Sequence, residues 1–135
     1  QTEKSPLNEA IIALNTSGEG LVNNVCVISD VAPDYAPKGR SLISVSLLGI
    51  HKNSDLPNAV KEELYSWFGE QTRDWKHLRT DLIKHALPEQ GPGLESPGHL
   101  FIDGMHICGD HTSSASIEGA ITSGIKTAEA IIAGQ

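Results

Sequence analysis

The chain has 135 residues, a formal net charge of −7 and 39% hydrophobic residues, enough for one core burying about two-thirds of the unfolded surface. Its Lys and Arg residues are scattered, which argues against a nucleic-acid partner or an anionic membrane surface. No apolar run approaches the roughly twenty residues of a membrane span and no charged-then-apolar leader precedes a cleavage site, so a soluble, cytoplasmic protein is expected.

Gln1 stands where a methionine would begin a chain, which points to processing, truncation or an incomplete start. Residues 9–14 form an apolar run, either a strand or a single helical turn. The turn cluster at 15–20 and the Val- and Ile-rich run at 21–29 favour a β-hairpin. After a loop bearing Pro33 and Pro37, Ile43, Val45 and Leu47 alternate with Ser44 and Ser46, the pattern of a half-buried strand pairing with the one before it. A helix follows, with Pro57 in its first turn, Val60, Leu64, Trp67 and Phe68 on one face, and Gly69 at its end. Lys61, Glu62, Glu63 and Glu70 read as a solvated face without a role. Trp75 either covers a substrate pocket or joins the core, and the core is the commoner fate of such an aromatic.

The stretch from Arg79 to Leu87 alternates Ile83, His85 and Leu87 with Leu82, Lys84 and Ala86, so a further strand is expected there. Pro88 to Gly98 is rich in Pro, Gly and Ser and reads as a loop. His99 to Ile102, the Asp103-Gly104 turn signal and Met105 to Cys108 then form a tight hairpin. The chain passes into Gly109-Asp110-His111, a polar loop, and a helix opening at Ile117 with Ser116 as N-cap. Ile117, Ile121, Ile125, Ala128 and Ile132 recur at helical spacing, and Gly119, Ala120, Gly124 and Ala128 keep one side thin, as in a helix lying tight against a sheet or cofactor. There is no internal repeat and no low-complexity tract.

This last region is the candidate site. Asp110 can accept hydrogen bonds from ligand hydroxyls, Gly109 lets backbone approach without a Cβ, and the first N–H groups of the helix offer donors at its positive end. The same spacing also suits an ordinary strand-to-helix turn. Cys26 and Cys108 lie in strand-like runs and are expected as buried free thiols. His106, Cys108 and His111 are zinc-ligating residue types, but no second compact pair accompanies them and no metal is assigned. No feature nominates a base to activate Cys108 as a nucleophile.

The run HICGDHTSSASIEGAITSGIKTAEAII, residues 106–132, resembles the C-terminal FAD-binding motif of the flavin-containing amine oxidase and phytoene desaturase-like superfamily. Gly109, Asp110, Ser116, Ile117, Gly119, Ala120, Ser123 and Gly124 stand at matching places. Residues 29–45 and 78–88 look like substrate-domain pieces of the same enzymes. The resemblance implies FAD as cofactor and flavin redox chemistry on a small or apolar organic substrate. It implies that Asp110 holds the ribityl or diphosphate region through hydroxyls, and that N–H groups near Ile117 and Glu118 face the pyrimidine end of the ring. Glu118 departs from that pattern, since its charge would oppose an anionic ring unless the side chain points outward. Lys84 and His85 are implied as substrate-lining, and no residue is singled out as an acid or base.

These enzymes begin with a Rossmann strand, a Gly-x-Gly-x-x-Gly turn and an acidic residue about twenty positions on. Gly18-Glu19-Gly20 and Gly91-Pro92-Gly93 both lack the third glycine, and Pro92 has no N–H for a pyrophosphate. The expectation is therefore an α+β chain of α/β-type family, with an antiparallel-rich sheet and one amphipathic helix, then a β-hairpin and strand-to-helix unit that completes an FAD-binding domain. Residues 1–98 would be a substrate-domain-like portion and 99–135 the C-terminal FAD-binding portion, the N-terminal Rossmann half lying outside the chain. Other classes that fit are a non-catalytic module, self-associating as a homo-oligomer or binding a partner, and a small metal-binding protein.

Overall fold

A computed structural model describes residues 1–52, 54–92 and 100–134, which divide into two compact units, Gln1–Leu82 and Ile83–Gln135. The expected division at 98/99 falls outside the described residues, as do His99 and most of the Pro- and Gly-rich loop before it. Helices and antiparallel sheets are combined in the α+β manner expected, and every strand pair among the described residues is antiparallel.

In the first unit, the Val-rich run becomes the centre of a three-stranded sheet ordered β1 (Ile12–Leu14), β2 (Val22–Val27), β3 (Ile43–Leu47). Residues 12–14 thus form a strand rather than a helical turn, and both the hairpin and the third strand form as expected. Val25 lies opposite Ala13 on one side and Val45 on the other. Val22 and Val25 are three residues apart, an odd spacing that would put them on opposite faces of a regular strand. A register shift between Val22 and Asn24 restores the match, so both are buried with Leu64 in one cluster. The turn before β2 is held by the Asn15 side chain, whose Nδ2 donates to Glu19 O at 2.6 Å and Val22 O at 2.9 Å.

The strand expected to run to Ser29 stops at Val27. Ile28–Val31 instead makes one helical turn, α1, because local acceptors and donors satisfy its side chains. Ser5 Oγ donates to Asp30 Oδ2 at 2.5 Å, and Ser29 Oγ accepts the Leu42 N–H at 3.0 Å.

The amphipathic helix α2 (Leu56–Phe68) has Pro57 in its first turn and ends at Gly69, whose φ of 68° suits a residue without a Cβ. Leu64 is buried, and Val60, Trp67, Phe68 and Trp75 pack around it, with Phe68 and Trp75 ring centroids 5.5 Å apart. Trp75 therefore belongs to the core. Of the charged residues in and just after α2, Glu62 is exposed as expected, but Lys61, Glu63 and Glu70 are engaged. Glu63 accepts the N–H groups of Leu21 at 2.6 Å and Val22 at 3.1 Å, and Lys61 Nζ donates to Arg73 O at 2.7 Å and Trp75 O at 3.3 Å. Glu70 accepts the Tyr65 hydroxyl and pairs with Arg73 at 2.9 Å. Helical spacing alone cannot show that a neighbouring segment's backbone donors will end beside such a carboxylate.

The strand expected over Arg79–Leu87 does not form, and the chain is irregular there. A strand requires a partner for its backbone groups, and no described strand pairs with it. Leu82, Ile83 and Leu87 are exposed, as are Lys84 and His85, and the division between the units falls at Leu82.

In the second unit, β4 (Leu100–Ile102) and β5 (Met105–Ile107) pair with Phe101 opposite His106. Asp103 (φ 50°) and Gly104 (φ 80°) both take positive φ, as a two-residue type I′ hairpin turn requires. The helix α3 (Ile117–Ile132) then packs an unexpected side. Its buried positions are Gly119, Ser123 and Thr127, one residue per turn. The isoleucine row is open, with Ile117 83% and Ile132 86% exposed. The reason is the loop before the helix, which folds back over the small-residue side: a Cβ at Gly119 would sit 1.9 Å from Ser114 O. No helix of the described residues is long and apolar enough to cross a membrane.

Candidate functional site

The geometry of the candidate site begins with β5, which delivers the chain through Cys108 to Gly109. Gly109 has φ 147° and ψ 174°, and a Cβ there would come within 2.7 Å of the His111 imidazole. That backbone conformation favours glycine, whereas the exposed His111 ring could shift from an added Cβ. Asp110 opens a short 3₁₀ turn, Asp110–Thr112, closed by the Thr112 N–H on Gly109 O at 3.1 Å and the Ser113 N–H on Asp110 O at 3.1 Å.

The Asp110 carboxylate is partly exposed, and its Oδ1 lies 3.9 Å from His111 Nδ1. Ser116 caps α3 as expected, its Oγ accepting the Gly119 N–H at 2.9 Å, while Ser114 Oγ lies 2.9 Å from Ser116 Oγ. The first intrahelical bond is Ala120 N–H to Ser116 O at 3.0 Å. The N–H groups of Ile117 and Glu118 therefore precede the helix's own ladder and face outward from its positive end. Glu118 is exposed. One short segment thus carries a carboxylate acceptor, a glycine turn and a row of backbone donors.

The family's sequence profile, described as flavin containing amine oxidoreductase, matches residues 2–132. The chain belongs to the flavin-containing amine oxidoreductase family. No curated protein and no solved structure matches it. Membership of this flavin-dependent oxidoreductase family agrees with the resemblance carried by residues 106–132, and the match extends across both compact units.

Other predicted residues fall elsewhere or stand apart. Lys84 and His85 lie on the irregular segment rather than on a strand, both exposed. His106 stacks its ring against Phe101 at 4.7 Å between centroids. His106, Cys108 and His111 do not gather, and no group of three His, Cys, Asp or Glu side chains able to hold a metal occurs among the described residues. Cys26 and Cys108 are free thiols, but Cys26 is only half-buried and Cys108 is exposed, because β5 ends at Ile107 and leaves Cys108 in the turn. A hollow on the first unit, lined by Lys61, Glu62, Tyr65, Thr72 and Arg73, contains none of the predicted site residues. Beside it the Glu70 carboxylate, accepting the Tyr65 hydroxyl, raises that phenol above its ordinary value.

Sequence reading gave no role to two residues that support the site. Thr112 and Ser123 are buried beneath the turn and bonded to Gly109. Ser123 was legible as a match to the family motif, whereas nothing in the spacing distinguishes Thr112 from its hydroxyl neighbours Ser113 and Ser114.

Proposed function

We propose that this chain corresponds to the C-terminal portion of an FAD-dependent oxidoreductase, and that Gly109, Asp110, Ser116, Ile117 and Glu118 form its contribution to the flavin site. The observation carrying this reading is the Gly109–Asp110 turn set beside the Ser116-capped start of α3, in a chain whose family is flavin-containing. The donor set suits the cofactor. FAD carries ribityl hydroxyls that a carboxylate can accept and anionic oxygens that helix N-terminal N–H groups favour. Gly109, having no Cβ, permits the close backbone approach of a ligand.

When bound, the flavin would supply the redox chemistry, accepting a hydride equivalent from a C–H bond as the adjoining C–N or C–C bond becomes double. The chain's own residues orient it. Asp110 fixes hydroxyls; its charge is repelled by phosphate, which places it at the ribityl chain. The N–H groups of Ile117 and Glu118 act as preorganised donors toward developing negative charge, a role that needs no reorganisation because the helix already fixes them. Glu118 is exposed, so its side chain is assigned to solvent, away from those N–H groups. Lys84 and His85 are assigned to the border of the substrate cavity, and the substrate class is an amine or a polyene of the carotenoid type.

The test is a titration of the folded chain with FAD, followed by amide NMR shifts. The expected result is weak binding, far above micromolar, with shifts concentrated at Gly109, Asp110, Ile117 and Glu118 and abolished by Asp110→Ala. Millimolar FAD that moves none of these amides overturns the assignment.

A further inference from the structure

Gly109 has the least backbone restraint of any residue type, yet the turn it occupies must point Asp110 in one direction. A closed set of hydrogen bonds supplies that restraint. The Gly109 N–H donates to Ser123 Oγ at 3.1 Å, and Thr112 Oγ1 donates to Gly109 O at 2.9 Å. The two hydroxyl oxygens lie 2.5 Å apart. Thr112 spends its proton on Gly109 O, so the proton between the hydroxyls is the one carried by Ser123. The circuit runs from the Gly109 N–H through Ser123 and Thr112 to the Gly109 carbonyl, beginning and ending on one residue.

Thr112 is fully buried and Ser123 is 4% exposed, so water does not compete for these bonds. Ser123 sits on the second turn of α3 and Thr112 at the end of the 3₁₀ turn. The circuit therefore ties the peptide preceding Asp110 to the helix whose N-terminus forms the other part of the site.

We propose that Ser123 and Thr112 are positioning residues for the flavin site: they fix the Gly109 peptide, and through it the Asp110 carboxylate, relative to the start of α3. This rests on the flavin reading above. The role explains why the buried face of α3 carries a hydroxyl at this turn. An isoleucine there would fill the space and leave the Gly109 N–H without an acceptor.

The experiment compares Thr112→Val, Thr112→Ser and Ser123→Ala in the 135-residue chain. It reads amide hydrogen exchange at Gly109 and the FAD-induced shift at Asp110. Thr112→Val keeps the shape and removes the hydroxyl; Thr112→Ser keeps the hydroxyl and removes a methyl. Thr112→Val and Ser123→Ala should each speed Gly109 exchange on the order of tenfold and weaken the FAD response at Asp110 by a similar factor, while Thr112→Ser restores both. Amide shifts of β4, β5 and the last two turns of α3 verify folding, and if Thr112→Val disturbs them, Ser123→Ala carries the comparison. Unchanged Gly109 exchange overturns the circuit. Faster exchange with an unchanged FAD response overturns the positioning role. Absence of any FAD response in the unsubstituted chain overturns the flavin reading itself, and is distinguished from the other failures because the exchange measurement needs no flavin.

Discussion

Glu63 and Gly20 should be energetically inseparable. The Glu63 carboxylate accepts two backbone N–H groups at the start of β2, Leu21 and Val22, and Val22 is fully buried. Removing the acceptor by Glu63→Ala leaves two donors to find partners at the sheet edge. With the carboxylate half-buried, the loss is about 2 kcal/mol. Gly20 precedes these donors with φ 90°, and a Cβ there would lie 2.4 Å from Glu63 Oε1. Gly20→Ala thus costs about 1 kcal/mol for its backbone conformation and, by displacing the carboxylate, forfeits the same two bonds. A side-chain end normally moves aside at little cost, but this one is held by the bonds it would have to break.

The single variants should lose about 2 and 3 kcal/mol, and the double variant also about 3 rather than about 5, a coupling near 2 kcal/mol. Urea unfolding followed by tryptophan fluorescence is the assay, because Trp67 and Trp75 both lie in the first unit and report on it alone. Additive losses, or a Glu63→Ala variant within about 0.5 kcal/mol of the parent, would refute the reasoning.

Ser116→Ala should cost about 1 kcal/mol of second-unit stability, read as faster exchange of the Gly119 amide, since that N–H loses its cap. Gly119→Ala should be harsher, more than about 3 kcal/mol, because the Ser114 carbonyl is backbone and cannot swing away from the added methyl; loss of dispersed second-unit NMR signals checks it. The Tyr65 phenol is raised in the folded chain by its bond to Glu70, so this contact stabilises below the ordinary tyrosine range near about 10 and is lost as pH rises through the higher folded value. Glu70→Gln should bring that titration down, measured by phenolate absorbance. A thiol reagent should modify exposed Cys108 on the order of tenfold faster than half-buried Cys26, as mass spectrometry of partly labelled chain will show.

Much of the fold was readable because its signals are local. Val and Ile runs around a turn cluster made a hairpin, Pro57 and Gly69 bracketed a helix with one apolar face, and Asp103-Gly104 marked a turn whose two positive φ angles few other pairs adopt. Strand alternation misled at 79–87, where the pattern was present but no partner strand was, and pairing is a non-local property. The apolar row of α3 misled for a related reason. Periodicity shows that a helix has a face of isoleucines, but which face its own unit covers depends on where the preceding loop folds, and Gly119 drew it to the other side. At the candidate site the turn residues and the Ser116 cap were legible from residue type. The bond between the two hydroxyls beneath them was not, because Thr112 and Ser123 are eleven residues apart and meet only once the helix is docked.

The buried face of α3 gives the second unit a thermodynamic character unlike that of the first. Heat capacity of unfolding comes from apolar surface newly exposed to water, while exposed polar surface reduces it. Among the described residues, the first unit buries Val22, Val25, Val27 and Leu64 beside Thr2, Ser41 and Thr72, whereas those buried in the second are Thr112, Gly119, Ser123 and Thr127. Per residue, the second unit should therefore unfold with a smaller change in heat capacity, and its stability should curve less with temperature, than the first. The half that carries Asp110 leans more on hydrogen bonds, and less on the expulsion of water, than the half that carries the valines.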